Sequence, residues 1–320
     1  MPKPIDISVV VPLYNEDESI QELTEWISRV MQSHGFTYEV IMIDDGSKDN
    51  SWEVIQQLSA ENPNIKGVKF KRNYGKSAAL NVGFKQALGE VVITMDADLQ
   101  DSPDEIPELY RMIKEEGYEL VSGWKKKRHD PMTKTIPSKF FNYITSLISG
   151  IRLHDFNCGL KAYKASLVKS IDVYGEMHRY IPAIAKWNGY TKITEKVVQH
   201  HPRKYGVTKF GIERFLYGFL DLLSITFVSK FKKRPMHFFG LLGTISFLIG
   251  TGFSTWIIGH KIYLNWYLHQ NARSVADQPL FFFALVALII GVQLFLTGFL
   301  AEMVSLDTNK KGDYIIEERI

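Results

Sequence analysis

The chain has 320 residues, 45% of them hydrophobic and 23% charged, which allows a full globular domain and something more. A formal net charge of +3 gives no ground for a nucleic-acid partner. The single cysteine, Cys158, excludes an internal disulfide and fits a reducing compartment.

The N-terminus, MPKPIDISVVVPLYNE, does not read as a signal peptide, because its apolar run is short, ends at Pro12 and lacks a small-residue cleavage site. A catalytic part is therefore expected to begin at once, on the side where the chain is made. Up to about Leu120, strand and helix patterns alternate: Ile7 to Val11, Tyr38 to Ile43, Ile65 to Phe70 and Val91 to Met95 as strands. Between and after them, Ile20 to Met31, Trp52 to Leu58, Ser77 to Leu88 and Ile106 to Glu116 read as helices. Such alternation predicts an α/β fold with a mostly parallel sheet covered by helices.

The strand ends carry the chemistry. After the first come Pro12, Leu13, Tyr14, Asn15 and Glu16; after the second come Asp44, Asp45, Gly46, Ser47, Lys48 and Asp49. Neither is a phosphate-cradling glycine loop, so a dinucleotide or P-loop reading has no support. Asp45 is placed to accept hydrogen bonds from a base or ribose, and Tyr14 offers a face for stacking. The second stretch also suits a turn and a helix cap. The fourth strand empties into Asp96, Ala97, Asp98, Leu99, Gln100 and Asp101. Two carboxylates at i and i+2 with an amide oxygen at i+4 suit Mg2+ or Mn2+, with positions left for diphosphate oxygens. The competing reading is an acidic turn that caps the helix starting near Pro103.

PLYNE at 12 to 16, DDGSKD at 44 to 49, NYGKSAALNVG at 73 to 83 and MDADLQDSP at 95 to 103 together resemble the inverting family 2 glycosyltransferases of GT-A fold. Four motifs in order are far more specific than any one of them. The resemblance is greatest to the dolichyl-phosphate mannose synthase branch and its bacterial polyprenyl-phosphate relatives. It implies a Rossmann-like sheet in which Pro12, Tyr14, Glu16, Ile43 and Asp45 line the nucleotide, with Ala97 beside them. It further implies that Asp96, Asp98 and Gln100 hold the metal and that Lys76 lies near the sugar nucleotide; Lys76 reads equally as a solvated lysine at a helix start. Asp98 would be catalytic through the ion.

Beyond Leu120, the run Lys125, Lys126, Lys127, Arg128, His129 is either a solvated face or a collector of anionic lipid headgroups. By resemblance Arg128 contacts the acceptor phosphate, and Asp155, in HDFNCGLKAYK, is the candidate catalytic carboxylate. A phosphate monoester already carries a charge of about −1.5 to −2 at neutral pH, so Asp155 could orient the acceptor without deprotonating it. Ile193 to Val198 reads as a strand, after which His200 and His201 point to opposite faces and cannot easily share an ion. Arg203, Gly206, Thr208 and Lys209 resemble the family's closing loop, whose cations Arg203 and Lys209 clamp the diphosphate and the lipid phosphate.

Ile136 to Ile148 and Phe215 to Phe231 are expected to lie in the membrane interface. Phe238 to Gly259 and Leu280 to Ala301 lack Asp, Glu, Lys and Arg and are long enough to cross a hydrocarbon layer of about 30 Å. Lys230, Lys232, Lys233, Arg234, Lys310 and Lys311 flank the pair, while Tyr263, Trp266 and Tyr267 suit an interfacial belt.

The expected layout is a GT-A domain over 1–210 with a first interface helix at 131–150, a second at 211–234, a two-helix transmembrane region at 235–306 and a tail at 307–320. Catalytic domain and both termini would face the cytoplasm at the inner membrane. The expected reaction is inverting transfer of one sugar from a nucleotide-diphosphate sugar, UDP-glucose or GDP-mannose, to polyprenyl (undecaprenyl) phosphate. A homo-oligomer is left open. The rivals are a family 2 transferase acting on a polysaccharide or glycolipid, disfavoured by the lack of Q-x-x-R-W, a sugar-1-phosphate nucleotidyltransferase, and a scaffold with a decayed transferase domain.

Overall fold

The apolar runs of the first part form β1 (Ile7–Leu13), α1 (Asp17–Ser33), β2 (Tyr38–Asp44), α2 (Ser51–Glu61), β3 (Ile65–Lys69), α3 (Lys76–Gln86), β4 (Val91–Thr94), α4 (Ile106–Lys114) and β5 (Leu120–Trp124). A computed structural model describes residues 4–126, 142–202, 204–205, 235–270 and 273–308. Within α1 the buried residues Ile20, Leu23, Ile27, Val30 and Met31 recur at three- and four-residue spacing, so one face lies on the sheet. Asp17 and Glu18 sit in its first turn, where carboxylates complement the helix dipole.

The chain continues through α5 (142–149), β6 (Lys161–Lys164), α6 (Ala165–Ser170), α7 (Ile181–Trp187) and β7 (Ile193–Val197). The seven strands make one sheet in the order β3-β2-β1-β4-β6-β5-β7. β1 runs parallel to β2 and β4, and β2 to β3, whereas β6 is antiparallel to both β4 and β5. β7 runs parallel to β5 at the edge. From β1 the chain moves outward to β2 and β3 and returns to β4 on the other side. That reversal opens a crevice at the carboxyl ends of β1 and β4, where open α/β sheets bind ligands.

Both faces of the sheet are buried. Val9, Val11, Val40 and Met42 pack with Ile27 and Leu109 on one side; Val10, Ile41 and Ile43 pack with Leu80, Phe84 and Tyr163 on the other. The predicted strands and helices are all present in this part, most of them one to three residues longer or shorter than expected. β5, β6, α6 and α7 were not expected. β6 is only KAYK, with a lysine at each end, and has no apolar run to mark it.

Two compact units divide the chain, Met1–Ile225 and Thr226–Ile320. In the second, α8 (Pro235–Ile262) and α9 (Pro279–Thr308) contain both expected apolar spans. They pack through small residues: a Cβ on Gly243 would stand 2.8 Å from the Gly291 carbonyl oxygen, and one on Gly250 would stand 2.8 Å from that of Ala284. Ser246 Oγ donates to the Ala287 carbonyl at 2.8 Å. Leu241, Leu248, Phe282, Ile289 and Phe295 are exposed on the outer faces. Two long helices with apolar exteriors are candidate membrane spans, not core helices of a globule.

Of the first expected interface helix, α5 is the described portion. It turns Asn142, Thr145 and Ser149 inward and leaves Tyr143 and Leu147 exposed. The expected helix at Phe215 to Phe231 and the tail beyond Thr308 lie outside the described residues.

Candidate active site

Three loops at the carboxyl ends of β1, β2 and β3 are bonded to one another. Asn15, in a left-handed backbone conformation with φ 55°, donates its N–H to Ser47 Oγ at 2.9 Å. In return Lys48 N–H donates to Asn15 Oδ1 at 2.8 Å, and Glu16 N–H to Ser51 Oγ at 3.0 Å. Asp45 accepts the N–H groups of Tyr74 and Gly75, at 2.7 and 2.9 Å, on its two carboxylate oxygens. Burial pushes its pKa up, and the two backbone donors oppose that rise. Gly46, at φ +73°, packs so closely that a Cβ would stand 2.4 Å from the Arg72 carbonyl carbon. Pro12, Tyr14, Glu16 and Asp45 therefore stand on one braced rim. The Ile43 side chain is wholly buried with Val10, Leu80 and Phe84 beneath this rim.

The acidic stretch after β4 lies beside this rim. Leu99 takes a left-handed conformation, φ 59°, between Asp98 and Gln100. Gln100 N–H donates to Asp98 Oδ1 at 3.2 Å. Lys76, at the start of α3, forms an ion pair with Asp96. It is thus neither free in solvent nor remote from the acidic motif. Burial alone would raise the Asp96 pKa, but the Lys76 ammonium, then Lys125 and Lys161, bring it down to about 2. Behind the stretch, His201 N–H donates to the Gln100 carbonyl at 2.9 Å, and His200 Nδ1 lies 3.2 Å from the same oxygen. The paired histidines brace this loop from the end of β7.

In the basic run, read as a solvated face or a collector of lipid headgroups, Lys125 instead turns inward. Its side chain is 15% exposed and its ammonium lies 2.9 Å from the fully buried carboxylate of Asp101. Burial would lower its pKa, but Asp101, Cys158 and Asp96 together outweigh burial and raise it. Lys126 does turn outward, over the Trp124 ring at 5.6 Å.

Asp155 is 1% exposed. It accepts the Asn157 N–H at 3.0 Å, a local turn bond, and its loop is held on the α5 side by Asn142, which donates to the His154 carbonyl at 2.8 Å. Burial pushes the Cys158 thiol up to about 12, so the lone cysteine is inert at neutral pH. Arg128, Arg203 and Lys209 lie outside the described residues.

Asp96, Asp98 and Gln100 fit a hard divalent ion by donor chemistry. Asp96 is anionic at any physiological pH, and the Gln100 amide nitrogen faces the His201 carbonyl at 3.5 Å, which leaves its oxygen as the acceptor on offer. Among the described residues no three Asp, Glu, His or Cys side chains gather.

Residues 8–172 match the model of the family described as Glycosyl transferase family 2. Over 94% of this chain and 88% of the relative, the sequence is 37% identical to the dodecaprenyl-phosphate galacturonate synthase of Rhizobium johnstonii. It is 32% identical to the undecaprenyl-phosphate 4-deoxy-4-formamido-L-arabinose transferase of Aeromonas hydrophila, over 98% of this chain and 93% of that one. Among solved structures, glucosyl-3-phosphoglycerate synthase from Mycobacterium tuberculosis, in complex with Mn2+, UDP-glucose and phosphoglyceric acid, aligns with 70% of this chain and 79% of its own at TM-score 0.53 and 18% identity. The mannosyltransferase from Pyrobaculum calidifontis, in complex with GDP-mannose and Mn2+, aligns with 98% of this chain and 78% of its own at TM-score 0.51 and 16% identity. At these identities the structural likenesses establish the fold.

Proposed function

Because this chain belongs to glycosyl transferase family 2, we propose that its crevice transfers one sugar from a nucleotide-diphosphate sugar to a polyprenyl phosphate at the cytoplasmic face of the inner membrane. One observation carries the acceptor: relatives named for dodecaprenyl and undecaprenyl phosphate align over nearly the whole chain, the two long apolar helices included. A lipid substrate and a membrane-seated chain belong together. For the donor, those relatives' names put galacturonate and formamido-arabinose beside the UDP-glucose and GDP-mannose expected from the motifs.

In this reading the rim of Pro12, Tyr14, Glu16 and Asp45 receives the nucleotide. Asp96, Asp98 and Gln100 hold Mg2+ or Mn2+, which supplies neutralisation of the departing diphosphate. A lipid-phosphate oxygen, held by Arg128, Arg203 and Lys209, attacks the anomeric carbon from the face opposite the leaving group. The new carbon–oxygen bond forms as the bond to the nucleoside diphosphate breaks, and configuration inverts. Asp155, almost wholly buried, orients the acceptor side and takes no proton from a phosphate already ionised. In this reading both chain ends and residues 1–210 face the cytoplasm.

The test is purified full-length protein given undecaprenyl phosphate and, in turn, labelled UDP-glucose, UDP-galacturonate, UDP-formamido-arabinose and GDP-mannose. A chloroform-soluble labelled product that needs Mn2+ or Mg2+ is expected with one of them. Product on a glycan or glycolipid acceptor alone, or nucleotide-sugar binding without transfer, overturns the proposal.

A further inference from the structure

Across the sheet, Val92 on β4, Tyr163 on β6 and Leu120 on β5 stand side by side, all buried in one cluster. One step toward the crevice the row becomes Thr94, Lys161 and Ser122, paired in register, 3%, 3% and 0% exposed. Each of the three donates to a carbonyl of the loop that carries Asp155: Thr94 Oγ1 to Gly159 at 2.8 Å, Lys161 Nζ to Cys158, and Ser122 Oγ to Asp155 at 3.2 Å. The same loop touches the acidic stretch, since a Cβ on Gly159 would stand 2.5 Å from Asp96 Oδ2.

Lys161 is the anomaly in this row. Among the described residues its ammonium makes that single hydrogen bond and has no carboxylate at ion-pairing distance. A buried cation so poorly compensated is costly, and a well-packed apolar side chain of similar volume at such a place is often neutral or stabilising. Burial pushes its pKa below the ordinary lysine value. Threonine and serine alone could hold the loop's outer carbonyls, so the lysine has no evident structural reason to be charged.

We infer that Lys161 is a positioning residue for transfer: from the floor of the crevice its donation to the Cys158 carbonyl fixes the Asp155–Gly159 loop against Asp96. Residues at functional sites commonly break the rules of a well-packed core in this way. The inference rests on the transfer reaction proposed above and adds a residue to it.

The experiment compares full-length wild type, Lys161→Met, Lys161→Arg and Ser122→Ala in thermal unfolding, in binding of UDP with Mn2+, and in steady-state transfer to undecaprenyl phosphate. Lys161→Met is expected to unfold at or above the wild-type temperature and to bind UDP with Mn2+ within about threefold of it. Its kcat should fall by about 10- to 100-fold with donor KM little changed, as a displaced catalytic geometry demands. Lys161→Arg, which keeps the charge and a donor, should recover part of kcat, and Ser122→Ala should show a smaller fall. A Lys161→Met protein that fails to fold, or that unfolds several degrees early with normal kcat, makes the lysine structural and overturns the inference. Equal kcat in Lys161→Met and wild type also overturns it, whereas a wild type that transfers no sugar overturns the reaction on which it rests.

Discussion

The two halves of the sheet are held by different physics. From β3 to β4 the strands are parallel, and β2, β1 and β4 are mostly apolar on both faces and flanked by helices, so their stability comes mainly from packing. From β6 to β7 the directions are mixed, β6 antiparallel to β4 and β5 and β7 parallel to β5, and β6 buries a lysine between the buried hydroxyls of Thr94 and Ser122. Around this second half the buried Lys125 and Asp101 meet as an ion pair, and the Asp155 loop hangs from side-chain donors. The acidic stretch of β4 is the seam between the halves. The transfer proposed above would use the braced rim and the polar floor that meet at this seam.

The most severe break is at the seam itself. Asp98→Ala should lower transfer by about a thousandfold, the kinetic equivalent of about 4 kcal/mol, while the protein stays folded and membrane-bound. Retained turnover would remove Asp98 from the metal site. Next comes the charged half: Lys125→Met leaves Asp101 buried and uncompensated, at about 3 kcal/mol in unfolding free energy. The double variant with Asp101→Asn should recover most of that loss. If the double variant is no better than the single one, the pair is not what secures this half.

The contrast also explains how much was legible beforehand. The parallel half announces itself, because Ile7 to Val11 and Tyr38 to Ile43 are apolar runs followed by helical periodicity, and each empties into polar residues. The position of the acidic stretch was readable to the same extent: Asp96, Asp98 and Gln100 follow the carboxyl end of β4. β6 gave no such signal, since a four-residue strand with lysines at both ends matches no periodicity. The inward turn of Lys125 was hidden for a similar reason: in a run of three lysines, composition cannot say which faces Asp101. The bracing by His200 and His201 depends on a contact spanning about a hundred residues, from Gln100 to the end of β7, which local pattern does not encode.

Within the packed half, Gly83 on α3 tests how tight the packing is. A Cβ there would stand 2.3 Å from Val10 Cγ1, so Gly83→Ala must push the helix off β1 or turn the valine. An overpacking cost of about 2 kcal/mol is expected in denaturant unfolding, despite alanine's better helix propensity. A stabilised Gly83→Ala protein would mean that the helix floats on the sheet.

The smallest expected effect comes from a buried charge cluster within the packed half. Glu39 is buried, accepts Ser8 Oγ at 2.5 Å and the Leu88 N–H at 2.7 Å, and pairs with Lys66 at 2.6 Å. Burial would raise its pKa, but Lys66, Ser8 and Leu88 together hold it below the ordinary glutamate value. A carboxylate lowered on folding adds stability above its unfolded pKa, and that share is lost as pH falls through the folded pKa. Glu39→Gln should therefore cost about 1 kcal/mol at neutral pH, with the exposed end of Lys66 limiting the electrostatic part. Wild-type and variant stabilities should converge as pH drops below the ordinary glutamate range. A gap that persists undiminished into acid would mean that shape and hydrogen bonding, not charge, hold Glu39 in place, and would sharpen the contrast between the two halves.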